Sequence, residues 1–216
     1  PRKKVMTVLN GLDARFKPLN KRTCRKKLGL PLGRDIILFV GWLIERKDVA
    51  TLLKAMTLVV RRKDALCVLV GTGDQETHLK RFADEHGLEH SVLFVGSRPP
   101  SMIPLYMNAA DVFVLPSLSE GKPNVVGEAM ACGIPVIATD VPGTREILHD
   151  GKNGLIIESR QPTQLAATLL HLLSNAPLKK KLSLGGLRTI STAGLSWTTS
   201  AKLYNDIYHL VSSHHS

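Results

Sequence analysis

The stretch that most limits what this chain can fold into runs from Pro116 to Thr139, PSLSEGKPNVVGEAMACGIPVIAT. Before it stands DVFVL (111–115), a β-branched apolar run of the kind that makes a buried parallel strand. Pro116, Ser117, Ser119, Gly121 and Pro123 then break the chain into a loop. Asn124 is a good helix N-cap, VVGEAMA reads as the helix, and Gly133 is its left-handed terminating residue with Pro135 just beyond. PVIAT is the next buried strand. This order sets a glycine loop and a helix start at the carboxyl edge of a parallel sheet, where free N–H groups and the helix dipole favour an anion. Two carboxylates bracket the place, Glu120 and Glu128, with seven residues between them. Carboxylates beside an anion site suit a ligand that also carries hydroxyls, because they accept hydrogen bonds from sugar diols. A nucleotide-sugar, with phosphates in the middle and a sugar at each end, is such a molecule.

The rest of the chain repeats the alternation. Apolar strands are expected at Ile36–Val40, in ALCVLV (65–70), in SVLFVG (91–96) and at Leu155–Ile157. Leu52, Leu53, Met56, Val59 and Val60 recur at helical spacing after the first of these, and further helices are expected at 163–173, 178–187 and 198–211. Strands alternating with helices predict an α/β fold, a parallel sheet with helices on both faces and right-handed crossovers. With 216 residues, 44% of them hydrophobic, the chain can fill the core of one large domain. Gly71-Thr72-Gly73 resembles the start of a dinucleotide fingerprint, but Glu76 stands where its third glycine belongs, so it reads as a tight turn near the pocket. No G-x-x-x-x-G-K-[ST], G-x-S-x-G, H-E-x-x-H or Asp-x-Asp string occurs, which leaves no sequence case for a P-loop ATPase, a serine hydrolase or a metal site. Cys24, Cys67 and Cys132 show no paired spacing and read as free thiols in a reducing, cytoplasmic setting.

Between Glu120 and Val136 the string resembles the Glu-x7-Glu motif, followed by Ala-Met-Ala-x-Gly-x-Pro-Val, of the family-4 retaining glycosyltransferases of the GT-B fold. The resemblance extends from Asn10 to about Tyr208. It implies a Rossmann-like parallel sheet forming one half of a GT-B fold, with 1–20 as the lead-in from a missing N-terminal domain and 196–211 as a closing helix. It implies that Glu120 faces the donor sugar and Glu128 holds the ribose. The backbone around Gly121, Lys122, Asn124 and Val125 would meet the pyrophosphate and sugar, and the Gly96-Ser97-Arg98 loop would lie near the base. The turn after the first strand, beginning at Gly41, carries Arg and then Lys-Gly in that family, and the two cations clamp the pyrophosphate. Here Lys47 is present, Trp42 replaces the Arg and Asp48 the Gly. Arg46 is either the substitute cation or a solvated arginine beside Glu45. Glu146 reads as a hydrogen-bonding brace for neighbouring loops.

What the resemblance implies is hexosyl transfer from a nucleotide-diphosphate-sugar to a saccharide or lipid-linked acceptor, without a metal cofactor, by Glu120 and Lys47. The chain alone would bind donor and transfer little without its N-terminal partner. The departures at Trp42 and Asp48 leave open a non-catalytic nucleotide-sugar sensor or subunit. The formal charge of +11 concentrates in the first 34 residues and in Lys179, Lys180 and Lys181. Few aromatics interleave with these residues, so nucleic acid is not an expected partner. An anionic membrane face, holding the protein peripherally, and a merely solvated basic surface both account for the charge.

Overall fold

In the computed structural model, residues 11–192 and 197–212 are described. The first half of the expected 1–20 lead-in, residues 1–10, therefore falls outside the described residues. The apolar runs become strands β1 (Asp35–Val40), β2 (Ala65–Val70), β3 (Val92–Gly96), β4 (Val112–Leu115), β5 (Val136–Thr139) and β6 (Leu155–Ile157). They form one sheet in the order β3-β2-β1-β4-β5-β6, and every neighbouring pair is parallel. Continuous burial along β2, β4 and β5 explains why these strands carry no polar alternation: both of their faces are covered.

The coverings are helices α1 (Lys21–Leu28), α2 (Val49–Val59), α3 (Glu76–Glu85), α4 (Ile103–Ala109), α5 (Asn124–Ala131), the short α6 (Pro142–Arg145), α7 (Pro162–Ser174), α8 (Ala176–Thr192) and α9 (Trp197–Ser212). Helix α2 packs on α3 and α7, while α1 packs on α4 and α5 packs on both α4 and α8. The two groups lie on opposite faces, as right-handed crossovers require. Leu52, Leu53, Met56 and Val59 of α2 are fully buried, so the helical spacing of its apolar residues marks the face turned to the sheet. The C-terminal helices run longer than the apolar pattern predicts, because α8 continues through polar residues to Thr192. On α9, Leu203, Tyr204 and Tyr208 are exposed.

Order reverses between β1 and β4. The chain leaves β1 toward β2 and leaves β4 toward β5, so the loops at their carboxyl ends part and leave a crevice between them. At the opposite edge the same pair of strands is bolted by a buried ion pair. Arg25 of α1 is 4% exposed; its Nη2 donates to Asp111 Oδ2 at 2.6 Å and its Nε to the Ala109 carbonyl at 2.8 Å. The same Asp111 oxygen accepts from the Ile36 N–H at 2.7 Å, and Lys21 Nζ reaches Oδ1 at 2.7 Å. Burial alone would raise the Asp111 carboxyl, but Lys21, the Ile36 N–H and Arg25 outweigh it and hold the carboxyl below its ordinary range. One of the basic residues of the N-terminal charge run is thus part of the interior and not of the surface. Removing Arg25 leaves a half-paired carboxylate in an apolar place, so Arg25→Met is expected to cost about 3 kcal/mol in urea unfolding. A loss under about 1 kcal/mol would show that the pair holds nothing in place.

Candidate functional site

The crevice at the β1/β4 reversal is a cleft of about 670 Å³. Its walls come from four places: the 11–16 segment, the turn after β1, the segment from the loop after β3 to the start of α4, and the loop that runs from β4 into α5. Glu120, Lys47, Gly41, Arg98, Lys122, Asn124, Val125 and Glu128, all singled out from the sequence, line it together. Arg46, Gly96 and Gly121 do not. Gly96 ends β3 with φ +76° and its carbonyl accepts from the Gly71 N–H at 2.9 Å, behind the cleft wall. A narrower recess of about 180 Å³ opens between Gly41, Trp42, Gly71, Thr72, Ser97 and Arg98.

Lys47 and Glu120 meet across the crevice, Nζ to Oε1 at 2.5 Å, with side chains only 12% and 7% exposed. They stand 73 residues apart in sequence and are joined because the reversal places their loops side by side. The backbone reinforces this: the Leu118 N–H donates to the Arg46 carbonyl at 2.8 Å. Arg46 itself turns to the loop, donating to the Ser119 carbonyl at 2.9 Å and standing 3.6 Å from Glu120 Oε2. Asp48, where the family it resembles has glycine, takes the left-handed conformation at φ +45° and accepts from Thr51 Oγ1 at 2.8 Å. The departure at this position thus keeps the turn glycine would make, with some backbone strain. Trp42 is 67% exposed and lines both cleft and recess.

Backbone lies on backbone throughout this edge, and that is what its glycines are for. A Cβ on Gly71 would fall 1.9 Å from the Gly41 carbonyl oxygen, and one on Gly73 would fall 2.2 Å from that of Leu43. Gly71-Thr72-Gly73 therefore seats the β2 loop against the β1 loop, a packing role its tight-turn reading missed. Gly143 does the same for the Glu120 loop, where a Cβ would lie 2.0 Å from the Gly121 oxygen. Pro142-Gly143, expected as a turn before a short helix, opens α6 itself.

The cap of helix α5 lies one residue earlier than predicted: Pro123 occupies the cap position and Asn124 is the first helical residue, with no side-chain cap bond. The first N–H groups of a helix have no intrahelical acceptor and here they open beside the cleft. Burial, with Asp13 adding repulsion, raises the Glu128 carboxyl to about 7. Asp13 in turn accepts from the Arg15 side chain and N–H, which lower its own carboxyl to about 2. The Leu12 side chain from the same segment rests over Gly127, 3.4 Å from where a Cβ would be. Two residues surprise. Lys122 Nζ is buried with no hydrogen-bond partner among the described residues. Glu146, expected to brace the loops, is exposed and makes no side-chain hydrogen bond among the described residues. Asn153 braces that region instead, donating to the Ile147 carbonyl and Thr189 Oγ1, both at 2.9 Å, and accepting from the His149 N–H.

All three cysteines are buried and free, and burial pushes the Cys132 thiol up to about 12 and Cys67 higher still. Among the described residues no three His, Cys, Asp or Glu side chains are grouped as metal ligands, and no helix is long and apolar enough to cross a membrane.

A Rossmann-like parallel sheet with this cleft at its reversal point is the architecture of one half of a GT-B glycosyltransferase. The family profile of glycosyl transferases group 1 matches residues 20–186, and the chain belongs to that family. A D-inositol 3-phosphate glycosyltransferase 2 from Catenulispora acidiphila is 34% identical over 216 residues, covering 95% of this chain and 50% of its own length. Among solved structures, sucrose-phosphate synthase from Thermosynechococcus elongatus superposes with a TM-score of 0.86 at 28% identity, over 96% of this chain and 52% of that one. The C-terminal domain of a glycosyl transferase group 1 family protein from Francisella tularensis does so with a TM-score of 0.77 at 26% identity, over 84% of this chain and 97% of that one. The chain spans about half the length of the curated relatives it matches.

The raised Glu128 carboxyl has a consequence for stability. An unfolded glutamate releases its proton near 4.5, whereas the folded one keeps it to about 7. Stability therefore falls as pH rises through that window, and the deficit, on the order of 3 kcal/mol, persists above it. Glu128→Gln is expected to melt with the wild type at pH 4.5 and several degrees above it at pH 8. Coincident melting midpoints at pH 8 would show that the carboxyl is not held up by its surroundings.

Proposed function

We propose that the chain is the donor-binding domain of a retaining glycosyltransferase that moves a hexose-type sugar from a nucleotide-diphosphate-sugar to an acceptor hydroxyl on a saccharide or lipid-linked glycan. The observation that carries this reading is the buried Lys47–Glu120 pair beside the α5 start, with Glu128 on the same cleft. A cation next to free N–H groups suits a diphosphate, and flanking acids suit the hydroxyls at its two ends.

In this reading Lys47 shares its ammonium between Glu120 and the diphosphate, since an ammonium has three hydrogens to donate. Glu120 orients the donor sugar, and Glu128 accepts from the ribose diol. The bond between the anomeric carbon and the phosphate oxygen breaks as negative charge grows on the leaving diphosphate, and the fixed cation and N–H groups stabilise that charge. The acceptor oxygen bonds the anomeric carbon from the same face, and its proton passes to the departing phosphate. The acceptor side belongs to a second domain, which the roughly double length of the relatives supports. The positive charge facing the diphosphate comes from protein groups, so the reading calls for no metal cofactor.

A second reading, a nucleotide-sugar-binding subunit or sensor without turnover, draws on one observation: the place of the family's second clamp residue is held by the uncharged Trp42. Assaying transfer and hydrolysis in a protein that carries both domains separates the two, because only the first predicts turnover.

Donor binding has its own check. Calorimetry with nucleoside diphosphates should show tightest binding for one base, weakened at least about tenfold by Glu128→Ala. Near pH 6.5 binding should release a proton, because hydrogen bonds from the diol favour the ionised carboxylate. Comparing buffers of different ionisation heat reads that proton directly; no release and unchanged affinity in Glu128→Ala would sink the ribose assignment.

A further inference from the structure

We propose that the side chain of Lys122, not Arg46, is the second cation of the diphosphate site, in place of the charge that Trp42 lacks; this rests on the donor reading above. The cleft is lined by four cationic side chains, Arg15, Lys47, Arg98 and Lys122. Arg15 is taken by Asp13 and Lys47 by Glu120. Arg98 lies exposed at the rim and donates to the Ser97 carbonyl at 3.0 Å. Lys122 differs from all three, since its Nζ is withdrawn from water and, among the described residues, has neither a hydrogen-bond acceptor nor a carboxylate within ion-pair distance.

An amine nitrogen withdrawn from water without a partner is unfavourable. The acids of the cleft do not relieve it. Glu120 gives one oxygen to Lys47 and turns the other toward Arg46. Glu128 makes no ion pair with Lys122 among the described residues, and its carboxyl is raised by burial and by repulsion from Asp13. Arg46, the other candidate from the sequence, spends its guanidinium on the Ser119 carbonyl and does not line the cleft.

An uncompensated cation of this kind is retained where something anionic completes it. Lys122 stands two residues before Asn124, the first residue of α5, and both residues line the same cleft. Trp42 and Lys122 line that cleft from the loops after β1 and β4, on opposite sides of the reversal. The cation that the family it resembles carries on one wall is thus supplied here from the other. A diphosphate, with its second phosphate, uses that charge far more than a monophosphate does.

The test is the ratio of monophosphate to diphosphate Kd, measured calorimetrically with UDP, GDP, ADP and their monophosphates, for the base bound most tightly. Lys122→Met is expected to lower that ratio at least about tenfold while leaving monophosphate affinity within about threefold, and Lys122→Arg to preserve most of it. Adding Trp42→Arg to Lys122→Met is expected to bring the ratio back up. The unliganded Lys122→Met protein should melt no lower than the wild type, because it loses an unpaired buried charge. An unchanged ratio in Lys122→Met, equal losses for both nucleotides, or a larger drop in ratio in Arg98→Met would overturn the assignment. No recovery in the double variant would overturn the equivalence of the two positions. If the wild type bound none of these nucleotides, the donor reading would fail and this inference with it; binding without the ratio change removes the inference alone.

Discussion

The chain changes direction between β1 and β4, and the rest of the site depends on that reversal. Two neighbouring parallel strands send their following loops to opposite sides, so the groove between those loops cannot be closed by either crossover helix. Whatever the loops carry there faces its counterpart. Lys47 and Glu120 form a buried pair for this reason, and the start of α5 opens beside them. The opposite edge shows the complementary solution. There Arg25 and Asp111 spend an ion pair on holding α1 to the strand starts. Fixing the amino edge leaves the carboxyl edge free to carry groups chosen for a ligand.

Charges are used differently on the two edges. Asp111 is satisfied several times over by Arg25, Lys21 and the Ile36 N–H. In the cleft, Glu128 keeps its proton to about 7 and Lys122 Nζ has no hydrogen-bond partner among the described residues, so two groups there stand short of their own compensation. Deficits of that kind lower stability and are kept where binding needs them.

Much of this was legible in the sequence. The buried strands announced themselves as unbroken apolar runs, and the αL residue Gly133 was given away by the Pro135 that follows it. Glu120 and Glu128 share one motif, and the resemblance set Lys47 beside them; all three line the same cleft. What the sequence hid depends on contacts across long separations. Arg25 looks like one more member of a basic run and is an interior residue. Glu146 looked like a brace, while Asn153, whose amide has both donors and an acceptor to offer, does the bracing. Asn124 has the chemistry of a cap, yet Pro123 with its fixed φ takes that position. The partnerless state of Lys122 cannot be read from a string at all, since it is a statement about what is not nearby. The place of the Asp13–Arg15 pair on the cleft wall depends on another such contact, set by the 11–16 segment lying across α5.

The seats of Gly71, Gly73 and Gly143 on neighbouring carbonyls separate framework from display. Peptide units resting on peptide units leave no slack for a methyl group, so the three loops are set at a fixed height whatever side chains they present. Trp42 and Lys122 project from that footing without being part of it. Divergence among relatives, or deliberate redesign of ligand preference, therefore has room at those projecting positions, whereas a single added carbon beneath them shifts every one at once.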